Sequence, residues 1–270
     1  MNRLLYNALL TYFSTMISVV ILGGGNVAVH LFKAFNKAEN VVVNQWFNRD
    51  LKAIDFYKNM VEVTDDLSSL KDADVYLIAI SDDAVAKFSS KLPVENKLVV
   101  HTSGSVGLAD LDKKHHRGVF YPLQTFSKDT EINFAKIPIC IETTDKNDLK
   151  TLQHLAEAIG SKSYRVNSEQ RSSLHLAAVF VNNFTNQLYR IAHEITESTG
   201  TEFDILKPLI LETANKVQNL SPYMAQTGPA KRNDKKTIKK HLKKLENSPH
   251  KDIYKLLTDS IQQTHGRKKL

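Results

Sequence analysis

The stretch VVILGGGNVA, residues 19–28, decides how the rest of the chain reads. Val19, Val20, Ile21 and Leu22 form the short apolar run of a strand buried on both faces of a parallel sheet. Gly23, Gly24 and Gly25 follow, and then Val27, Leu31, Phe35 and Ala38 recur at helical spacing. Gly23, Gly25 and Ala28 fit G-x-G-x-x-A. The first glycine allows the tight turn, the second lets a pyrophosphate approach the backbone, and Ala28 lets helix and strand pack closely. Gly-rich turns also serve as plain connectors. Here the order strand, turn, helix predicts a dinucleotide site at Gly23, Gly24, Gly25, Asn26 and Val27, with phosphates at the helix N-terminus.

Working outward, VVVNQWF (residues 41–47) reads as the second strand, whose end is where an adenosine ribose would lie. An NAD site commonly places an acid there, about 20 residues beyond the glycines. This chain has Asn48 and Arg49 instead. Arg pairs bidentately with a 2′-phosphate, so the expected cofactor is NADP, with NAD second; the plainer alternative is a polar turn with a solvated Arg. ADVYLIAI (73–80) reads as a buried strand, and Ser81 as the N-cap of a helix whose Asp82 and Asp83 suit the helix dipole. KLVVHTSGS (97–105) is the next strand and loop. Loops after strand C-terminal ends line the ligand crevice, which nominates Ile80, Ser81, Thr102 and Ser103 for the cofactor. Ser103, Tyr121, Pro122 and Gln124 are nominated for the substrate. GVFYPLQTF (118–126), IPICIE and KSYRV extend the sheet to about residue 166, giving an α/β, doubly wound, mostly parallel sheet.

Composition bounds these readings. A chain of 270 residues, 42% hydrophobic, can bury a proper core in one or two domains. The single cysteine, Cys140, excludes an internal disulfide and a Cys-based metal site, and reads as a buried thiol in a reducing, cytoplasmic setting. No metal site is expected. Much of the net charge of +7 lies in KKTIKKHLKKLE, a solvated amphipathic helix with Ile238, Leu242 and Leu245 on one face. It lacks interleaved aromatics, so no nucleic-acid partner is expected. Residues 1–15 loosely resemble a signal peptide, but Tyr6, Asn7, Thr11 and Tyr12 interrupt them. They are too short to span a membrane, and no membrane partner is expected. Met16 stands directly before ISVVILGGG, so residues 1–15 read as an extension or a mis-assigned start.

From Asn167 the pattern turns helical, which sets expected domains of 16–166 and 167–270. In residues 168–199, Leu174, Val181, Phe184, Leu188, Ile191 and Ile195 share one broad face of a helix of about eight turns. At roughly 100° per residue, His175, Asn182 and Asn186 fall within about 40° of one another on another side. A solvated stripe is the plain reading. A stripe facing a crevice would make His175 the proton donor and give the asparagines the substrate's polar groups. Asp204 is expected to cap the next helix with Pro208 in its first turn, and Glu212 and Lys216 to form a surface ion pair. QTGPAKRND (226–234) reads as a turn-rich connector.

Taken together, ILGGGNVA, HTSGS, GVFYPLQTFS, LHLAAVFVNNFTNQLY, PLILETANK and QTGPAKRND resemble a bacterial family of Rossmann-like oxidoreductases whose C-terminal helical part is a domain of unknown function. The family is related to pyrroline-5-carboxylate reductase, ketopantoate reductase and the β-hydroxyacid dehydrogenases. The resemblance covers Met16 to about Gln263. It implies an NADP-type cofactor, a small-molecule substrate, and an all-helical C-terminal domain like that of 6-phosphogluconate dehydrogenase, which completes the crevice and mediates a homodimer. It also gives weight to Thr227 and Arg232 as crevice residues. One departure matters: the wider group carries a Lys and, four residues later, an Asn on the interdomain helix. This chain has His175 and then Val179, with Asn182 and Asn183 further on. The expected function is NADP(H)-dependent reduction of a small C=O or C=N substrate. The alternatives are a ketopantoate reductase-like enzyme and a non-catalytic NADP(H)-binding sensor or assembly protein.

Overall fold

The computed structural model describes residues 16–128 and 130–265, so the expectation for residues 1–15 lies outside the described residues. The chain divides into two compact units, with the break after Asn183. The pattern change at Asn167 coincides instead with the start of a helix inside the first unit.

In the first unit the strands are β1 (Ile17–Leu22), β2 (Val41–Phe47), β3 (Val63–Thr64), β4 (Val75–Ile78), β5 (Leu98–His101), β6 (His116–Pro122), β7 (Ile139–Thr143) and β8 (Ser163–Arg165). Among the described residues they form one sheet in the order β3-β2-β1-β4-β5-β6-β7-β8. Every neighbouring pair is parallel except β6 and β7, where Tyr121 faces Cys140. The order reverses between β1 and β4, which makes the mouth beside the β1 turn the switch point of a doubly wound sheet. Helices α1 (Asn26–Phe35), α2 (Asp82–Lys91), α3 (Lys146–Ala158) and α4 (Ser168–Ala178) complete the unit, α4 leading into a π-helical segment at Val179–Phe184.

The unbroken apolar run of β1 has its cause in two cores. Val19 and Ile21 pack with Ala28, Leu31, Phe32 and Phe35 of α1 and with Leu152 and Leu155 of α3. Val20 and Leu22 face the other way, toward Val85 of α2, Leu92 and Leu111. Each such side chain contributes roughly 1.5–3 kcal/mol on burial. Ala28 is fully buried, as close packing of α1 on the sheet requires.

Three local expectations are corrected, and that for Ser81 is met in position only. Residues 168–199 are not one regular helix: the π segment interrupts them. Ser81 occupies the N-cap position of α2, but its side chain makes no capping bond. The last strand of GVFYPLQTF ends at Pro122, and Leu123–Phe126 form a loop. Asp204 sits within a short 3₁₀ turn, Phe203–Leu206, where its carboxylate pairs with Lys207 Nζ at 2.8 Å instead of capping a helix.

The second unit holds α5 (Thr185–Glu197), α6 (Lys207–Asn219), α7 (Pro222–Ala225), α8 (Lys235–Lys244) and α9 (Lys251–His265). Pro208 lies in the first turn of α6, and the Glu212–Lys216 pair spans 3.5 Å at the surface. His250 Nε2 meets Glu194 Oε2 at 2.6 Å, which ties α5 to the segment before α9. No helix of the described residues is long and apolar enough to cross a membrane.

Candidate functional site

The glycine turn is built by exclusion. Gly23 has φ +119°, and a Cβ there would lie 2.3 Å from the Ala79 carbonyl oxygen. Only glycine meets both conditions. Trp46 Nε1–H donates to the Gly23 carbonyl at 2.6 Å, fixing the turn against β2. At Gly25 the nearest atom to an added Cβ is 3.9 Å away, so its open side is free for a ligand. Gly25 is also the N-cap of α1; no side chain caps the helix, and its first turn carries no acid. The first-turn N–H groups and the positive dipole end are therefore available to an anion.

These residues open into a cavity of about 1060 Å³ within the first unit. Gly24, Gly25, Asn26 and Val27 form one part of its wall, and Asn48 and Arg49 another. Ile80, Ser81, Thr102, Tyr121 and Gln124 continue the wall, and His175 and Asn182 close it. Most of the nominated residues of the first unit thus come together. Gly23 stands behind the wall as the turn itself, and Pro122 is the buried end of β6. Ser103 does not line the cavity. It is buried, and its hydroxyl accepts the Ser105 and Val106 N–H groups at 3.1 Å each, so it shapes the loop. Asn186, Thr227 and Arg232 belong to the second unit.

Sequence reasoning missed Thr125, Phe126 and Asn183 as wall residues. Asn26 Nδ2–H donates to the Phe126 carbonyl at 2.8 Å, a bond across 100 residues that folds the loop after β6 over the start of α1. Asn183 lies within the π segment, where the backbone departs from the regular pitch that a helical projection assumes. Side chains beyond it lag a regular projection by roughly one position.

At the α4 side of the cavity, the Tyr121 hydroxyl lies 3.2 Å from His175 Nδ1, with the rings edge to face. Burial pushes the Tyr121 phenol up to about 12. One turn before His175, the buried Arg171 guanidinium pairs with Glu142 of β7 and donates to the Val106 carbonyl and to Ser168 Oγ. Ser168 Oγ accepts from Leu108 N at 2.9 Å and donates to Glu142 at 2.8 Å. This network fixes α4 to the loop after β5. His101, at the end of β5, accepts the Ser103 N–H on Nδ1 at 3.2 Å. Burial, helped by the Arg171 charge, holds the His101 imidazole down at about 4, so it stays neutral. Burial raises the Cys140 thiol, which fits a structural residue. Among the described residues, no three His, Cys, Asp or Glu side chains gather as a metal site.

Sheet order, switch-point cavity and glycine turn define a Rossmann-type α/β protein with a helical C-terminal region. Residues 137–261 match the model of a domain of unknown function, DUF2520. A Bacteroides fragilis protein described as a putative NADP oxidoreductase is 38% identical, with a TM-score of 0.82, over 93% of this chain and 98% of its own. The chain belongs to this DUF2520-containing family. A Thermotoga maritima protein shares the fold at 18% identity, with a TM-score of 0.70 over 92% of this chain and 98% of its own. So does the Coxiella burnetii pyrroline-5-carboxylate reductase, at 16% identity and a TM-score of 0.55 over 95% of this chain and all of its own, 100%. No curated protein matches the chain.

Proposed function

We propose that this protein is an NADP(H)-dependent oxidoreductase that reduces a small C=O or C=N substrate. The observation that carries the reading is one cavity whose wall includes both an uncapped, glycine-built helix N-terminus and the Tyr121–His175 pair. Gly24, Gly25, Asn26 and Val27 would hold the pyrophosphate, and Asn48 and Arg49 the adenosine ribose with its 2′-phosphate. When bound, the reduced nicotinamide supplies a hydride. The chain's own part is to position the reactants, exclude water and deliver a proton. His175 is the donor, in place of the Lys that the wider group carries, and Asn182 and Gln124 offer amides to the substrate's polar groups.

Two features favour NADP over NAD. Arg49 makes no ion pair or hydrogen bond with a described residue and is exposed on the cavity wall. The acid beside it, Asp50, uses its carboxylate to accept the Lys52 N–H at 3.0 Å. A 2′-phosphate thus meets a free guanidinium and an acid engaged elsewhere. The name of the 38%-identical relative supports the same choice.

The working form we propose is a homodimer through the helical unit. Helix α6 buries none of its side chains, and Leu209 and Leu211 are 61% and 62% exposed. Two residues apart, these leucines lie on opposite sides of the helix; a helix draws most of its stability from packing, and a second copy is the cover we assign to its exposed apolar residues.

The test is His175→Ala, assayed by NADPH consumption against a panel of keto acids and cyclic imines. Turnover should drop roughly 10²–10⁴-fold while NADPH affinity holds, as loss of a general acid predicts. Unchanged turnover would remove His175 from the mechanism.

A further inference from the structure

Tyr121 and His175 meet on a glycine. A Cβ on Gly104 would stand 2.7 Å from His175 Nδ1 and 2.8 Å from Tyr121 Cζ, so the pair occupies the space a side chain would need. Tyr121 is held on β6 opposite Cys140 and is 9% exposed, while α4 is anchored one turn earlier by Arg171. Both rings are therefore fixed from behind. His175 Nε2 makes no hydrogen bond with a described residue, and the ring forms part of the cavity wall.

We propose that Tyr121 is the proton source behind His175: its hydroxyl donates to Nδ1, holds the imidazole as the Nε2–H tautomer, and resupplies the ring as Nε2 gives up its proton. The inference rests on the oxidoreductase reading above and deepens it. A protonated phenol facing an imidazole nitrogen donates, which leaves the ring's own proton on the other nitrogen. During reduction the π pair of the C=O or C=N bond moves to the heteroatom, which takes the Nε2 proton. Nδ1 takes the phenolic proton in the same event; water from the cavity then protonates Nε2 as Nδ1 returns its proton to the phenolate, which restores the starting tautomer. Other titratable or charged groups around the pair are Cys140 on β7, Asp82 at the start of α2 and Arg171 on α4. Asp82 accepts a hydrogen bond from Ser105 Oγ, and Arg171 is paired with Glu142.

The test is histidine-¹⁵N NMR of the full-length, cofactor-free protein, with His175 assigned from its loss in His175→Gln. The expected spectrum shows the Nε2–H tautomer with Nδ1 displaced by a hydrogen bond. Tyr121→Phe should return Nδ1 toward its unbonded position, and Gly104→Ala should do the same by wedging the rings apart. In turnover, the parent protein should keep a flat rate through the neutral range. Tyr121→Phe leaves only the imidazolium as donor, so its rate should fall about tenfold per pH unit on the alkaline side. An Nδ1–H tautomer in the parent protein, or an Nδ1 signal unmoved by Tyr121→Phe, overturns the relay while NADPH binding stands. If the parent protein does not bind NADPH, the relay falls with the reading beneath it, even where the spectra show the hydrogen bond.

Discussion

The two units bury themselves very differently. In the first, Val19, Ile21, Leu31, Phe32 and Leu77 are wholly enclosed, and the sheet is covered on both faces. In the second, the buried side chains among the described residues are Ile191, Ala230 and Thr258, each still 8% exposed. The first unit carries a core of its own, and with it the glycine turn and the cavity. The second carries helices with apolar faces that call for cover. Precise chemistry needs rigid support, and here the rigid support and the glycine turn are in the same unit.

The largest effect is expected from breaking the polar network inside the well-buried unit. Arg171→Met leaves the Glu142 carboxylate, only 17% exposed, without its cation. Removing one partner of a buried pair costs about 3–5 kcal/mol. Urea unfolding should show a loss of that size; a loss below 1 kcal/mol would mean that the network does not hold α4 in place.

A smaller effect should appear in acid. His101 is neutral in the folded protein down to about 4, whereas unfolded histidine titrates near 6.5. Its folded pKa is depressed, so the unfolded chain binds the extra proton first. Stability is full above about 6.5 and falls as pH drops toward 4, by roughly 3 kcal/mol in all. His101→Gln should flatten that limb of a pH series of unfolding curves, and an unchanged slope would clear His101 of the effect.

The second unit offers the complementary break. Leu209→Asp should convert a dimer to a monomer by light scattering, with the helical circular dichroism largely kept. A parent protein that is already monomeric at micromolar concentration would contradict the covered-face account.

How legible the molecule was in its sequence follows the same division. β2 runs over residues 41–47 as its apolar pattern indicates, and the β1 turn and α1 stand where the glycines place them. Those signals are local: a run of apolar residues, a glycine spacing, a helical period. The site was less legible because its contacts are not local. Ser103 reads as a hydroxyl beside the crevice, yet two N–H groups within three residues capture it. Phe126 joins the wall through a bond to Asn26 that no window of sequence contains. Asn182 and Asn183 both line the cavity from within the π segment, whose altered pitch a projection at fixed pitch does not show. His175 and Tyr121 were each visible as candidates. Their pairing over Gly104 was not, since three separate segments meet there.

The central claim is that the glycine turn and Arg49 build an NADP site, and calorimetric titration of the purified protein with NADPH and, separately, NADH tests it most directly. Micromolar NADPH binding is predicted, with NADH weaker by tenfold or more, a difference of about 1.4 kcal/mol, and Arg49→Glu should erase the gap. Absence of binding by either nucleotide would contradict the account at its base.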